Sequence, residues 1–220
     1  MEVRLFSVFL QLPRGSAKCA GRGVTVRLGT VFEVLLSEYS LINYTIMLNK
    51  KIEEALNEQI NAEMWSAYLY LSMSAYCHSI GQPGMANWFE IQFQEEQDHA
   101  KILFNYVNSR DGRVTLKPIA EVPTEWDGIL DVFKSTLKHE QKVTALINKL
   151  YALTHEENDF ATQSMLKWFI DEQVEEEENA KTIIDNIKMI KDNGYGIYML
   201  DKELGARTYT QASPLSGSAE

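Results

Sequence analysis

The sequence predicts an all-α protein: a four-helix bundle with one long crossover between its second and third helices and a short fifth helix near the C-terminus. Three observations carry this. From Met47 onward, apolar residues recur at alternating steps of three and four, the period of a single helix face. Breakers at Gly81-Gln82-Pro83-Gly84, at Asp111-Gly112 and after Thr154 cut that region into four long segments. One connection, residues 111 to 126 with Pro118 and Pro123, has no period and is long enough to run the length of a bundle.

Taken in order, the first helix should run from about Asn49 to about Ser79 and the second from about Met85 to about Ser109. The third begins near Glu125 to Asp127 and reaches about Thr154, and the fourth spans about Asn158 to Asp192, before Asn193-Gly194. A short fifth helix covers Ile197 to Leu204, and residues 205–220, rich in Ser, Gly, Pro and Ala, read as a flexible tail. Short links join the first helix to the second and the third to the fourth, so each pair forms an antiparallel hairpin. The remaining link must cover about 35 to 45 Å, the length of such helices.

The first 46 residues are unlike the rest: Gly15, Gly21, Gly23 and Gly29 interrupt short apolar runs, and neither a helical nor a strand period persists. Three readings apply to this N-terminal extension, which is set outside the fold. It is an upstream stretch translated from a misplaced start, with Met47 the first residue of the native protein, or an organellar transit segment, or a secretory signal. Its first 32 residues hold five basic side chains and Glu2 as sole acid, as a transit segment would, while the Leu5 to Leu12 patch is short and broken by Gln11. Intact-mass measurement of native protein distinguishes these. The expected location is cytoplasmic, or organellar if residues 1–46 target the chain.

With 220 residues and 45% hydrophobic content, the chain can bury the core of one domain. No run of 18 apolar residues suits a membrane-spanning helix. Cys19 and Cys77 are too few for a disulfide framework and stand in no metal-binding spacing. The net charge of −10 divides into +2 over residues 1–46 and −12 over the remainder. An acidic body argues against nucleic acid as a partner and for cations.

The inward seams hold the chemistry. They read Ile52, Leu56, Ile60, Glu63, Ala67, Tyr70 on the first helix and Phe89, Phe93, Glu96, Ala100, Leu103, Val107 on the second. The third gives Ile129, Phe133, Thr136, Glu140, Val143, Ile147, Leu150, and the fourth Phe169, Gln173, Glu176, Ala180, Ile183, Ile187. Each helix carries one glutamate on its apolar seam, near its midpoint, so antiparallel packing brings Glu63, Glu96, Glu140 and Glu176 to one level. Glu63 to Glu96 and Glu140 to Gln173 are both 33 residues apart, as if one hairpin were used twice.

A single seam glutamate is ordinarily a snorkelling or ion-paired side chain. Four at one level are not, because each ionised carboxylate buried without a partner costs several kcal/mol and the others aggravate it. No matching set of seam Lys or Arg is present, so the expected counter-charges are metal cations. Carboxylates with a few nitrogens and no thiolate suit iron or a similar metal, and bridging carboxylates hold two ions about 3.5 to 4 Å apart. His99, three residues after Glu96, shares its face as Glu-x-x-His. That tetrapeptide is weak by itself and strong beside three other seam glutamates. The fourth helix offers Gln173-x-x-Glu176 where a second such pair could stand.

From Met47 to about Leu204 the chain resembles bacterial non-haem ferritins, on the segments Asn-Glu-Gln-Ile-Asn-Ala-Glu (57–63), Gln-Glu-Glu-Gln-Asp-His (94–99) and Glu-Gln-Val-Glu-Glu-Glu (172–177). The resemblance implies a ferritin-like fold and an intrasubunit di-iron ferroxidase site. Glu63, Glu96 and His99 would hold one iron, with Glu96 bridging to a second held by Glu140 and Glu176 beside Gln173. A third iron position would fall on Glu95, Glu172, Glu175 and a share of Glu176. The bland account of residues 171–178, a solvated acidic face, fits Glu177 and Glu178, whereas steps of three and four set Glu172, Glu175 and Glu176 on one side. Tyr70 resembles the family's tyrosine near the iron pair, a possible electron donor, although a seam tyrosine is as often simply core. Trp168 resembles a position close to the site and reads first as packing.

Haem is not expected: Glu176 stands where bacterioferritins place a second histidine, and Gln97 where they place the haem methionine. The implied function is iron storage with ferroxidase activity, taking Fe(II) and O2 or H2O2 as reactants, in a homo-oligomer of 24 subunits enclosing a mineral cavity. A di-iron peroxidase or oxidase of rubrerythrin type is the alternative, and the chain lacks that type's paired Cys-x-x-Cys motifs. A non-catalytic acidic bundle acting as a binding module is a second rival, in which the seam glutamates hold no metal.

Overall fold

A computed structural model describes residues 48–216, so the N-terminal extension of residues 1–46 lies outside the described residues. The described chain is all-α, with α1 at Lys50–Ser79, α2 at Pro83–Ser109, α3 at Gly128–Glu156, α4 at Phe160–Ile190 and α5 at Gly194–Leu204. The all-α bundle with a short fifth helix is as expected, and the ends differ by a few residues for local reasons. Pro83, read as a breaker, occupies the first turn of α2, where its missing N–H is no loss. Asn193, likewise read as a stop, starts α5: its side-chain oxygen accepts from the backbone N–H groups of Tyr195 and Gly196 at 3.1 Å each. Asn49 and Asp159 cap α1 and α4 in the same way.

The hairpins α1–α2 and α3–α4 are joined by a crossover that is fastened along α1 like a zip. Arg113 N–H donates to Glu53 Oε2 at 3.1 Å, Thr115 N–H to Asn57 Oδ1 at 2.7 Å, Trp65 Nε1 to the Glu121 carbonyl at 3.3 Å and Ser72 Oγ to the Pro123 carbonyl at 2.6 Å. Tyr76 Oη closes the series on the Trp126 carbonyl at 2.7 Å. From Glu53 to Tyr76 is about 35 Å of helix at 1.5 Å per residue. The loop's backbone polar groups thus find partners on α1 although the loop has no regular structure of its own.

All the predicted seam residues are buried except Phe93 and Ile129, which are partly covered. They do not form one continuous core. One apolar cluster gathers Tyr70, Met73, Phe89, Phe133 and Ile183, and the other gathers Leu56, Ile60, Leu103, Val143, Ile147 and Phe169. On every long helix the change from one cluster to the other falls at the seam glutamate: Ile60 to Tyr70 across Glu63, Phe89 to Leu103 across Glu96, Phe133 to Val143 across Glu140, and Phe169 to Ile183 across Glu176. The bundle is two apolar blocks with a carboxylate layer between them.

The C-terminal elements dock on α2. Gly84 lies so close to α5 that an added Cβ would meet the Asp201 carbonyl oxygen at 1.7 Å. This approach lets the buried Asp201 carboxylate accept from Met85 N–H at 2.8 Å, placing negative charge at the positive end of α2. Beyond α5, Tyr209 Oη and Ala212 N–H both donate to Asp98 Oδ2, at 2.7 and 2.9 Å. Nothing in the composition of residues 205–220, read as a flexible tail, pointed to these contacts.

Candidate metal centre

The structure brings Glu63, Glu96 and His99 together, with one potential ligand atom from each lying within 4.8 Å of the others. All three are buried, at 1%, 1% and 3% exposure. Glu96 and His99 share a face of α2, with His99 Nδ1 3.4 Å from Glu96 Oε2, an ion-pair distance without hydrogen-bond geometry. Among the described residues, Glu63 Oε2 and Glu96 Oε2 are the buried side-chain oxygens that have no hydrogen-bond partner. Carboxylate oxygens shielded from water and lacking donors are stable only with protons or cations at hand.

Glu140 and Glu176 complete the layer and are equally buried. Their orientation is set by polar neighbours. Tyr70 Oη donates to Glu140 Oε1, and Gln173 Nε2 donates to Glu140 Oε2 at 3.1 Å. Gln92 Nε2 donates to Glu176 Oε2 at 2.8 Å, and Gln59 Nε2 to Glu63 Oε1 at 2.8 Å. Glu63, Glu140 and Glu176 are thus each held by one oxygen at least, a supporting shell that fixes ligand geometry in advance. Tyr70 itself is fixed by stacking on Phe89 with ring centroids 6.0 Å apart. Trp168 packs edge-on against the His99 ring at 5.4 Å, consistent with its reading as packing.

The electrostatics follow from burial and crowding. Desolvation, reinforced by Glu96, lifts the Glu63 carboxyl to about 8. Desolvation, with Glu63 contributing, lifts Glu140 likewise to about 8, although Gln173 opposes the shift. Glu176 is raised well above the usual carboxylate range by burial, then by Glu140 and Glu96. Burial disfavours charge on His99, but the carboxylates of Glu96, Glu63 and Glu176 outweigh it and hold the imidazole at about 10. Protons held by these groups would be displaced by a bound cation.

Glu95, Glu172 and Glu175 sit at the edge of this layer, the first two partly covered and Glu175 exposed. Burial raises Glu95 and Glu172 above the usual range. Sequence reasoning did not single out Gln59, Gln92, His139 or Arg207. Gln59 and Gln92 stand four residues before Glu63 and Glu96, a matched spacing that could have marked them. His139, next to Glu140, accepts or donates at Ser66 Oγ over 2.8 Å and is lowered to about 4, chiefly by burial.

Antiparallel helices with one long crossover and an inward layer of glutamates plus Glu-x-x-His define the class of ferritin-like carboxylate bundles. Residues 53–190 match the family model of ferritin, the ferritin-like domain, and the chain belongs to this family. It is 39% identical over 165 residues to the bacterial non-heme ferritin of Staphylococcus aureus (strain USA300), covering 75% of this chain and 99% of that protein. The bacterial non-heme ferritin of Staphylococcus haemolyticus (strain JCSC1435) is 40% identical over the same coverage. Among solved structures, an open-pore ferritin from the hyperthermophilic archaeon Archaeoglobus fulgidus aligns with a TM-score of 0.73 and 45% identity, covering 73% of this chain and 99% of that one. An engineered closed form of the same archaeal ferritin aligns equally well, over 74% of this chain.

Proposed function

We propose that this chain is an iron-storage protein that oxidises Fe(II) at an intrasubunit di-iron site. The observation that carries the reading is the pair of buried, unpartnered oxygens, Glu63 Oε2 and Glu96 Oε2, beside His99. Glu63, Glu96 and His99 bind one ferrous ion. Glu96 bridges to a second, held by Glu140 and Glu176 with Gln173 alongside. Two Fe(II) supply two electrons, which reduce O2 to H2O2 with uptake of two protons, or H2O2 to two waters. Ferric product then leaves for a mineral cavity. Glu95, Glu172, Glu175 and Glu176 form a third iron position next to the pair, and Tyr70 donates an electron in this reading.

The protein's own part is positional and electrostatic. Four carboxylates in a dry layer, once their protons are displaced by the bound cations, favour the higher charge of Fe(III) over Fe(II), which lowers the potential of the bound pair. Gln59, Gln92, Gln173 and Tyr70 hold Glu63, Glu176 and Glu140 so that little reorganisation of these three accompanies the charge change. The assembly we propose is a homo-oligomeric shell of 24 subunits, located in the cytoplasm. Residues 1–46 stand outside the working domain, 47–204.

Aerobic addition of Fe(II) tests this: rapid oxidation is expected in the native protein and its loss in Glu96→Ala/His99→Ala. Unchanged oxidation in the double variant overturns the ligand assignment. Electron microscopy after iron loading should show hollow particles with dense centres, whereas oxidation by a small, empty oligomer would instead favour a rubrerythrin-type oxidase.

A further inference from the structure

Arg207 lies beyond α5 and turns its guanidinium onto α2. Nη2 donates to both oxygens of Glu95, at 2.7 and 3.0 Å, and Nη1 donates to Gln92 Oε1 at 2.5 Å. Gln92 is fully buried and passes the contact inward through its 2.8 Å hydrogen bond to Glu176 Oε2. The guanidinium also covers the Trp88 ring, 5.1 Å from its centroid, and the Arg207 carbonyl accepts from Asn87 Nδ2 at 3.1 Å. With the bonds from Tyr209 and Ala212 to Asp98, the segment from 207 to 212 is fastened along α2 on both sides of Glu95.

Two of the four carboxylates of the proposed third iron position are therefore engaged by one arginine, Glu95 directly and Glu176 through Gln92. We propose that Arg207 is an internal substitute for the third cation, a latch that must release Glu95 before an iron ion can be held there. The inference rests on the reading of Glu95, Glu172, Glu175 and Glu176 as a third position. Both Glu95 oxygens already accept a charge-assisted bond, and a guanidinium and a metal ion at one carboxylate repel each other. Cation binding and latch closure oppose each other by the same factor in both directions. Arg207 has no hydrogen bond to Glu63, Glu96, His99 or Glu140, and it reaches Glu176, the one ligand shared with the iron pair, only at second hand through Gln92, so the third position should feel the latch more than the pair does. The consequence is order: the pair fills first, and the third ion enters only when the segment after α5 gives way.

The test is anaerobic Fe(II) titration of the assembled full-length protein. The native chain should bind two ferrous ions per subunit and a third more weakly. Arg207→Gln should tighten the third by at least about fivefold, change the first two by less than that, and lose the gain when Glu95→Gln is added. Arg207→Lys, which keeps the charge, should stay near the native affinity, a result that loss of folding could not produce alongside a tightened glutamine variant. A third affinity that is unchanged or weaker in Arg207→Gln, while Glu95→Gln still abolishes it, overturns the latch and leaves the third position intact. Two ions and no third in the native chain and in Arg207→Gln overturn the third position and the latch together.

Discussion

Gln59 donates a 2.8 Å hydrogen bond to one oxygen of Glu63, yet the other oxygen, Oε2, lies buried with no partner, as does Oε2 of Glu96. The residue that orients the carboxylate leaves its second oxygen free for a ligand. This selective satisfaction distinguishes a binding site from a structural polar layer, in which every oxygen would be paired.

Replacing Glu63 by Gln should therefore stabilise the metal-free protein at high pH and cripple iron oxidation. The native carboxyl at about 8, against an ordinary 4.5, keeps a proton in the folded state that the unfolded chain releases. Its favourable contribution is complete below 4.5 and is lost as pH rises through about 8. Unfolding free energies of metal-free Glu63→Gln from denaturant titration should match native protein near pH 4 and exceed it at pH 9 by about 1–3 kcal/mol. Equal midpoints at pH 9 would mean that Glu63 is not strained in the ion-free state.

Cation binding should release protons, and more at pH 7 than at pH 9. Glu63 and Glu140 at about 8 and His99 at about 10 are protonated at neutral pH, and metal ligands must be deprotonated. By pH 9 the two carboxyls have already lost theirs. Fe(II) affinity should accordingly rise with pH across this interval, and anaerobic titration in weak buffer with a pH indicator reads the protons directly. A release independent of pH contradicts the assignment.

Tyr70→Phe separates two roles of one side chain. The ring keeps its stack on Phe89, so only the hydrogen bond to Glu140 is lost, at a cost of about 0.5–1.5 kcal/mol in stability. As an electron donor Tyr70 would slow oxidation without altering Fe(II) stoichiometry. Stopped-flow oxidation beside anaerobic titration tells the two apart: if binding and rate fall together, Tyr70 only orients Glu140.

Gly84→Ala should dislodge α5, because the new methyl would overlap the Asp201 carbonyl oxygen. The Asp201 to Met85 bond would go with it, and a loss of about 1–3 kcal/mol is expected, read by thermal denaturation. Fe(II) binding at Glu63, Glu96 and His99 should persist, since these residues lie on α1 and α2 away from that contact.

Much of this protein is legible in one dimension because helical period converts spacing into facing. Steps of three and four placed Glu63, Glu96, Glu140 and Glu176 on apolar seams, and in the fold each of them marks the change between the two core clusters. The unpaired Oε2 atoms were not legible, since whether Gln59 satisfies one oxygen or both is a matter of rotamer and distance. Helix starts were misjudged where a breaker opened the next helix: Pro83 stands in the first turn of α2, where its missing N–H is no loss, and Asn193 caps α5 with its side-chain oxygen.

Local pattern alone determined the number of helices, their antiparallel pairing and the level at which the acids lie, because these depend on period and on connection length. Tertiary structure alone decided that Arg207 reaches Glu95, 112 residues away, and that Gln92 turns to Glu176 rather than to its own helix. Contacts between distant segments are chosen by which buried charges and donors lack a partner once the helices have packed, and no sequence period encodes that.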